Sequence, residues 1–277
     1  MTTVPVKVMT VAGSDSGGGA GIQADLKTFA ALGAYGTSVL AAITAQNTRE
    51  VSAIAEVPDE VVIAQIDTVI EDIGADAVKT GMLSSSSIIQ NTADRLEAWG
   101  IPLLVVDPVM IAKSGTQLLH RDAIHALKND LLPSASVITP NIPEAEVLSG
   151  HTIHSPDAVE TAAKAISELG PRTVVVKGGH LPGDPIDTVY RDGVITRLEG
   201  ERISTKNTHG TGCTFAAAIA TFLAHGVDEL EAVRLAKVYI EAALRASYAV
   251  GEGHSPVNHF VPLPQEIRAV IEQAATV

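Results

Sequence analysis

The chain has 277 residues, which is enough for one large α/β domain or two small ones. Its composition is 46% hydrophobic but only 3% aromatic, so the core must be built from Ala, Val, Ile and Leu, as in a mostly parallel sheet buried on both faces. The net charge of −13 argues against a nucleic-acid partner, because such a partner requires a basic face.

The single cysteine and the apolar runs indicate the compartment. One cysteine excludes an internal disulfide framework and favours a reducing cytoplasm. Residues 1–10 contain neither a basic region nor a long apolar run, so we expect no signal peptide. The longest apolar run, residues 215–224, is too short to span a bilayer. We therefore expect a soluble cytoplasmic protein with no membrane partner.

The first half of the chain alternates short apolar runs with segments of helical periodicity, which predict strands and helices respectively. In chain order these are strand 6–12, helix 22–32, strands 37–45 and 52–57, helix 58–73, strand 76–80, helix 84–99, strand 103–106 and helix 121–131. A strand, a glycine-rich loop and a helix at the start are the opening of a βαβ unit.

The second half continues the alternation. It contains strand 136–139, helices 143–148 and 155–169, strand 173–176, strands 186–190 and 194–198, and helices 213–225, 228–250 and 265–275. The residues Arg191, Asp192 and Gly193 between two of the strands are a hairpin signal. This order predicts a three-layer αβα sandwich around one mostly parallel sheet. No composition shift marks a boundary and no repeat occurs, so we expect residues 1–277 to form a single domain.

Polar or glycine-rich segments follow most of the predicted strands. Ligands of open α/β sheets bind at the carboxyl ends of the strands, so we expect these segments to converge on one site. They are residues 13–21, 46–47, 79–82, 107–108, 141 with 144, 177–179, and the loop before residue 213. Neither glycine-rich loop matches the dinucleotide fingerprint, no P-loop sequence occurs, and no cluster of cysteine and histidine indicates a zinc site.

The late glycine-rich loop contains Gly210, Thr211, Gly212 and Cys213. Its glycines allow backbone N–H groups to approach a ligand closely, and a helix beginning at about Cys213 would add unpaired N–H groups and a partial positive charge. These features predict a phosphate site. We expect the Cys213 thiol to ionise, because a helix N-terminus stabilises a thiolate. Alone, the loop is equally compatible with an ordinary turn and a buried structural cysteine.

Other candidates, taken singly, also have a structural interpretation. Asp107 precedes a proline and could be a turn residue, and Glu144 could be a solvated residue favoured by a helix dipole. Lys177 could be a surface lysine at a strand end. We expect His209 to be a hydrogen-bonding loop residue rather than a catalyst.

Seven ordered motifs resemble one family over nearly the whole chain. They are A-G-S-D-S-G-G-G-A-G-I-Q-A-D-L-K-T from residue 12, A-Q-N-T from 45, K-T-G-M from 79, D-P-V-M from 107 with K-S-G from 113, T-P-N-I-P-E from 139, V-K-G-G-H from 176 and N-T-H-G-T-G-C from 207. The chain resembles the hydroxymethylpyrimidine/phosphomethylpyrimidine kinases of thiamine biosynthesis, which belong to the ribokinase-like superfamily. The resemblance implies ATP-dependent phosphorylation of 4-amino-5-hydroxymethyl-2-methylpyrimidine, and then of its monophosphate to the diphosphate, by a homodimer.

The resemblance also implies residue roles. The anion hole would be formed by N–H groups of Gly210, Thr211, Gly212 and Cys213. Cys213 stands where related sugar kinases carry an aspartate base. The aminopyrimidine pocket would be formed by Gly13, Ala20, Asp25, Gln46, Met82 and Val109. ATP would be bound by Asn141, Lys177, Gly210 and Gly212. Mg²⁺ would be held by Asp107 and Glu144, with water completing its shell. Residues 111–117 and 181–185 would act as flaps that exclude water.

Three other functions stay open at this point. Relatives of this architecture include pyridoxal kinases, although Gln46 favours the aminopyrimidine because an amide can pair with an amino-substituted ring edge. Cys213 could instead be a covalent nucleophile, but only His209 is close to it in sequence as a partner. A nucleotide-binding module without catalysis is the third. Within the kinase interpretation, Cys213 can serve as a base or can position the substrate hydroxyl.

Overall fold

Nine strands form one sheet in the computed structural model of the protein, which describes residues 4–110, 121–180 and 183–274. The strands are β1 (Lys7–Asp15), β2 (Tyr35–Gln46), β3 (Val51–Glu56), β4 (Ala77–Thr80), β5 (Leu104–Val106), β6 (Val137–Ile138), β7 (Thr173–Val176), β8 (Asp187–Arg191) and β9 (Val194–Leu198). Their order across the sheet is β3-β2-β1-β4-β5-β6-β7-β8-β9. Six neighbouring strands of this order are parallel, namely β2, β1, β4, β5, β6 and β7. The strands β3, β8 and β9 join by antiparallel pairing, so the predicted mostly parallel sheet is confirmed.

Helices cover both faces of this sheet. They are α1 (Gly21–Ala31), α2 (Asp59–Asp72), α3 (Ser86–Ala98), α4 (Arg121–Ala126), α5 (Ile142–Ser149), α6 (Pro156–Ser167), α7 (Thr211–Ala224), α8 (Glu229–Arg245) and α9 (Gln265–Ala274). The helices α2 to α6 pack over one apolar core, and α1, α7, α8 and α9 pack over the other. Side chains of β1 alternate between the cores, with Met9 and Val11 in the first and Val8 in the second. The predicted three-layer sandwich is confirmed.

The helix α7 is buried on all sides, which fixes the position of its N-terminus. Its residues from Thr214 to Leu223 are all buried, and the helix contacts β1, β4, β5, α1 and α8. A helix that is apolar all round belongs in a protein interior. The alanines at 216, 217, 218 and 220 leave room for the sheet to approach closely. Consequently α7 presents its first turn rigidly at the carboxyl ends of the central strands.

The strand β1 is longer than the sequence predicts. The apolar run predicts an end at Ala12, but the strand continues to Asp15, because a register shift between Ala12 and Ser14 keeps it paired with β2. Gly13 therefore lies within the strand, where its N–H donates to the carbonyl oxygen of Met82 at 3.0 Å. The early loop itself is limited to residues 16–20.

Several helices are shorter than predicted, and local bonds or backbone angles account for two of them. The helix α3 begins two residues late, because Ser84 has a left-handed φ of 60° and the Ser85 hydroxyl caps the first turn. The helix α8 ends at Arg245 rather than at residue 250. The reason is that the N–H and carbonyl groups of Val250 both bond the Ser255 hydroxyl, at 2.8 and 2.9 Å, which turns the chain back.

One predicted helix changes type and one predicted turn is confirmed. The segment 121–131 is α-helical only to Ala126, then continues as a π-helix (Leu127–Leu131) and a 3₁₀ turn (Leu132–Ser134) that contains Pro133. The hairpin between β8 and β9 forms as predicted, with Asp192 and Gly193 at left-handed φ values of 50° and 81°. None of the helices in the described ranges is both long and apolar enough to cross a membrane.

Candidate active site

The carboxyl ends of the parallel strands border one large cavity of about 1070 Å³. A cavity at the upper end of the usual range for ligand pockets has room for two ligands side by side. The predicted site residues that line it are Gly13, Ala20, Gln46, Met82, Asp107, Val109, Asn141, Glu144, Lys177, Gly210, Thr211, Gly212 and Cys213. The structure thus brings together all of the predicted site residues except Asp25.

The two glycine-rich loops pack directly against each other at this cavity. Gly210 is the N-cap of α7 and has a left-handed φ of 75°. A Cβ atom there would overlap the carbonyl oxygen of Gly19 in the early loop. Gly19 in turn lies against the ring of His209. Only glycine permits such close backbone contact, so each loop determines the position of the other.

Asp15 organises the early loop. Its carboxylate accepts hydrogen bonds from the N–H groups of Gly17, Gly19 and Ala20, at 2.8, 3.0 and 2.8 Å. His209 Nε2 lies 2.8 Å from the same carboxylate. Burial alone would raise the pKa of Asp15, but the bonds from His209 and the N–H groups hold this pKa below its usual value. No role was predicted for Asp15, although an aspartate two residues before a glycine run is a signal for such a loop anchor.

The helix α7 begins at Thr211, two residues earlier than predicted. The first N–H groups of a helix have no partner within it, so the first turn presents donors to the cavity. A Cβ atom on Gly212 would lie 3.4 Å from Lys177 Nζ and 3.5 Å from Asp107 Oδ2. The helix N-terminus, an ammonium and a carboxylate are therefore immediate neighbours.

The surroundings of the half-buried Cys213 thiol oppose its ionisation, which contradicts the expectation of a thiolate. Burial raises the pKa of Cys213 to about 11, and the carboxylates of Asp25 and Asp107 add to this effect. The Lys79 ammonium and an N–H bond from Gly21 act in the opposite direction but are outweighed. A helix N-terminus is not sufficient to lower a thiol pKa where the thiol is desolvated among carboxylates.

Asp25 does not line the cavity, which corrects its predicted place in the substrate pocket. It is fully buried on the face of α1 that packs against the sheet. Its Oδ2 lies 2.9 Å from Lys79 Nζ and accepts a hydrogen bond from the Thr10 hydroxyl at 2.7 Å. Lys79 does line the cavity, as expected for the segment 79–82, although no individual role was predicted for it. A lysine within a predicted buried strand of five residues was the available signal.

A second charged cluster surrounds the end of β5. Lys177 Nζ lies 3.1 Å from Oδ1 of Asp107. Asn141 and Glu144 form a capping box at the start of α5, with bonds of 2.8 and 2.9 Å between each side chain and the other residue's N–H. Burial raises the pKa of Glu144 to about 7; the Lys177 ammonium opposes this rise and the Asp107 carboxylate adds to it. The cluster therefore favours a further cation.

Another buried ion pair lines this side of the cavity. Asp187 accepts the N–H of Gly178 at 2.9 Å and pairs with Lys237 Nζ at 2.7 Å. The aspartate thereby fixes the glycine that follows Lys177. Neither Asp187 nor Lys237 was predicted to belong to the site, because residues that lie 50 positions apart form no local sequence pattern.

Gln46, at the end of β2, also lines the cavity. Its backbone is tied to Ser16, whose hydroxyl bonds both the Gln46 carbonyl and N–H groups, at 2.9 and 2.8 Å. Its side chain contacts Thr44 and His209. The predicted flap 111–117 lies outside the described residues, as do residues 181 and 182 of the second flap.

Comparison with known proteins identifies the family of this chain. The family model described as phosphomethylpyrimidine kinase matches residues 15–258. The chain belongs to the phosphomethylpyrimidine kinase family. It is 51% identical to the hydroxymethylpyrimidine/phosphomethylpyrimidine kinase of Rhizobium meliloti, over 91% of this chain and 96% of that protein. The resemblance inferred from the motifs is confirmed.

Two further similar proteins differ from this chain in length or in the activity that their names give. The chain is 53% identical to the thiamine biosynthesis bifunctional protein ThiED of Geobacter sulfurreducens over 92% of its own length, and it spans 52% of that longer protein. A pyridoxal kinase of Bacillus subtilis, solved as an ADP complex, has a TM-score of 0.87 at 39% identity and covers 93% of this chain and 98% of its own. The α/β fold is therefore ribokinase-like, as predicted.

Proposed function

We propose that the protein is an ATP-dependent kinase that phosphorylates 4-amino-5-hydroxymethyl-2-methylpyrimidine and then converts the monophosphate to the diphosphate, in thiamine diphosphate biosynthesis. Membership of the phosphomethylpyrimidine kinase family and the names of its relatives support this reaction. The structural observation that carries the proposal is the convergence in one cavity of a helix N-terminus, two carboxylates, a lysine and a polar ring-edge group. This is the equipment that phosphoryl transfer to a small alcohol requires.

The nucleotide phosphates would lie along the end of β7 and the start of α7. Lys177 supplies a positive charge there, and the N–H groups of Gly210 to Cys213 supply donors for the γ-phosphoryl oxygens. The side-chain NH₂ group of Asn141 would face the phosphates, because its Oδ1 is already bound to the N–H of Glu144 at 2.9 Å. The Bacillus subtilis neighbour, solved with ADP, supports a nucleotide in this fold.

The residues present fit Mg²⁺ bound jointly with a nucleotide. No group of three or more His, Cys, Asp or Glu side chains in the described residues is arranged to hold a metal ion by itself. Mg²⁺ characteristically uses one or two carboxylates and completes its shell with phosphates and water. Asp107 and Glu144 supply those carboxylates, and because burial and the Asp107 carboxylate raise the pKa of Glu144, a bound cation would favour its ionised form. When bound, the ion would neutralise the charge of the phosphate oxygens.

The aminopyrimidine would lie between Gly13, Ala20, Gln46, Met82 and Val109. Small residues let a flat ring pack closely against backbone, and the Gln46 amide can pair with the ring edge that carries the amino group. The hydroxymethyl oxygen then attacks the γ-phosphorus, the bond from phosphorus to the bridging oxygen breaks, and ADP leaves. The hydroxyl proton passes to water as the new bond forms, so the products are the phosphate ester, ADP and a hydrated proton.

The role of Cys213 follows from its pKa. A thiol that is protonated at neutral pH cannot accept a proton before the reaction starts, and a loose transition state needs no early base. We propose that Cys213 positions the hydroxyl beside the anion hole. Replacement by serine should then retain activity within about tenfold, whereas an essential base would lose about 10²–10⁴-fold. Higher turnover by Cys213→Asp than by Cys213→Ser would show that the position functions as a base.

The proposed function is tested by incubating the protein with Mg-ATP and hydroxymethylpyrimidine and following the mono- and diphosphates. Both products should appear in order, with ADP formed in equal amount to each transfer. ADP formation without phosphorylated pyrimidine would refute the proposal. An Asp107→Asn variant serves as the control for contaminating kinases, because it retains the fold elements but loses one carboxylate of the nucleotide site.

Pyridoxal kinase activity is the second candidate, because the Bacillus subtilis pyridoxal kinase shares the fold at a TM-score of 0.87. The values of kcat/KM for hydroxymethylpyrimidine and pyridoxal distinguish the two. A strong preference for pyridoxal would overturn the assignment to thiamine biosynthesis.

We further propose that the chain works as one domain and as a homodimer in the cytoplasm. One sheet runs through the described residues, and the single cysteine suits a reducing compartment. The edge hairpin of β2 and β3 exposes Ile43 and Ile54, at 51% and 41%, which supports a contact between copies. Light scattering should give a mass of about twice 28.7 kDa.

A further inference from the structure

The imidazole of His209 lies between the two glycine-rich loops and the amide of Gln46. Its Nε2 is 2.8 Å from Oδ2 of Asp15 and 3.4 Å from Nε2 of Gln46. Its backbone N–H donates to the carbonyl oxygen of Ser255 at 3.1 Å, so the residue is anchored on both sides. The ring also packs against Gly19, which limits its movement.

Asp15 determines which ring nitrogen carries the hydrogen. A carboxylate only accepts hydrogen bonds, so Nε2 of His209 must be a donor toward Asp15. The same nitrogen cannot accept a hydrogen bond from Gln46. If the amide nitrogen of Gln46 faces the ring, two N–H groups face one another across 3.4 Å.

The other end of the Gln46 amide has the complementary conflict. Oγ1 of Thr44 lies 2.9 Å from the carbonyl oxygen of Ser14 and 3.0 Å from Oε1 of Gln46, but a hydroxyl has only one hydrogen for these two acceptors. Half a turn of the amide about its last side-chain bond removes the contact between the two N–H groups and lets the NH₂ group donate to Thr44, which then donates to Ser14. Oε1 of Gln46 then faces the Nε2–H of His209 as a second and longer acceptor beside Asp15.

We propose that His209, held by Asp15, fixes the orientation of the Gln46 amide and thereby the preference of the enzyme for an aminopyrimidine ring. His209 is a positioning residue, because it acts through Gln46. In this orientation the amide keeps one free lone pair and one free N–H side by side. That pair matches a ring nitrogen next to an amino group. The inference rests on the proposed function.

Two variants with a chemically matched contrast test this inference. His209→Gln retains an N–H donor at the end of a side chain of similar reach, whereas His209→Leu fills the space without a donor. The substrates are hydroxymethylpyrimidine and its analogue without the 4-amino group, and KM and kcat are measured for each. The wild-type protein should prefer the amino compound.

We expect His209→Leu to lose about tenfold of that preference, mainly through KM, because the amide can then turn freely. His209→Gln should restore the preference to within about threefold of wild type. Equal losses for both substrates, or a glutamine variant as poor as the leucine variant, would mean that His209 is merely structural and would overturn the inference. A wild-type protein that phosphorylates neither compound would instead refute the proposed function.

A tautomer measurement tests the same point without catalysis. In protein labelled with ¹⁵N-histidine, the signals absent from His209→Gln belong to His209. Their shifts should show a hydrogen on Nε2. A ring with its only hydrogen on Nδ1 could not donate to Asp15, and this result would overturn the inference whether or not the leucine variant folds.

Discussion

Replacing Lys79 by methionine would test the buried ion pair that Lys79 forms with Asp25 beside the cavity. Lys79 and Asp25 are both 0% exposed, with Nζ 2.9 Å from Oδ2. Methionine has a similar length and volume, so the change removes the charge with little change in packing. The Asp25 carboxylate would then keep one hydrogen-bond partner, the Thr10 hydroxyl on Oδ2. Its other oxygen, Oδ1, has no hydrogen-bond partner among the described residues.

The expected loss of stability follows from this geometry. Removing one member of a buried ion pair costs about 3–5 kcal/mol, because the other charge is left uncompensated. For a chain of this size about 1 kcal/mol shifts Tm by roughly 2 °C, so Lys79→Met should unfold roughly 6–10 °C below wild type. Burial raises the pKa of Asp25, and loss of the ammonium raises it further. Protonation of Asp25 removes the buried charge, so the deficit is larger at pH 8 than at pH 5 and shrinks as the pH falls.

Calorimetric unfolding of wild type, Lys79→Met, Asp25→Asn and the double variant at pH 8 and pH 5 measures both effects. Because each single variant leaves one unpaired charge, the double variant should be more stable than the sum of the single losses by at least about 2 kcal/mol. Additive losses, or a Lys79→Met deficit that is the same at both pH values, would refute the reasoning.

Three further predictions concern the loops and the titrating groups. Gly210→Ala should lower kcat more than about 100-fold, because its Cβ would overlap Gly19. Gly226 has a similar φ of 81° but open space around it, so Gly226→Ala should cost only about 1–2 kcal/mol of unfolding free energy and should retain kcat. Alkylation of Cys213, read by intact mass, should speed up about tenfold per pH unit from 7 to 9, since its pKa is about 11; a plateau near pH 8 would contradict this. Calorimetric Mg-ADP affinity should rise between pH 6 and pH 8 as Glu144, with a pKa of about 7, ionises, and Glu144→Gln should abolish the rise.

The order and type of the elements were predictable because each depends on a local pattern. The strand β7 has the predicted bounds, since four consecutive apolar or β-branched residues lie between loop signals. Element ends depend on distant partners instead. The end of α8 is set by Ser255, and the extension of β1 to Asp15 is set by pairing with β2, and neither partner is visible in a sequence window.

The composition of the cavity was also predictable, because parallel strands deliver their carboxyl ends to one edge. The direction of Asp25 was not, because it depends on the rotation of α1 against the sheet. The pKa of Cys213 could not be predicted from its place at a helix N-terminus. That pKa depends on burial, on Lys79 in β4 and on Asp107 directly after β5, and both residues lie far from Cys213 in the sequence.

The charges around α7 explain why a neutral thiol suits position 213. Lys79 is paired with Asp25, and Lys177 is paired with Asp107, so each lysine is already offset by a carboxylate. The partial positive charge of the helix N-terminus therefore adds to what Lys177 can supply to a phosphoryl group. A thiolate or a third carboxylate at position 213 would oppose that attraction directly. In the role proposed for Cys213, a thiol with a raised pKa would leave the N–H groups free for the anion while it contacts the incoming hydroxyl, so the burial that opposes its ionisation would also preserve the proposed phosphate site.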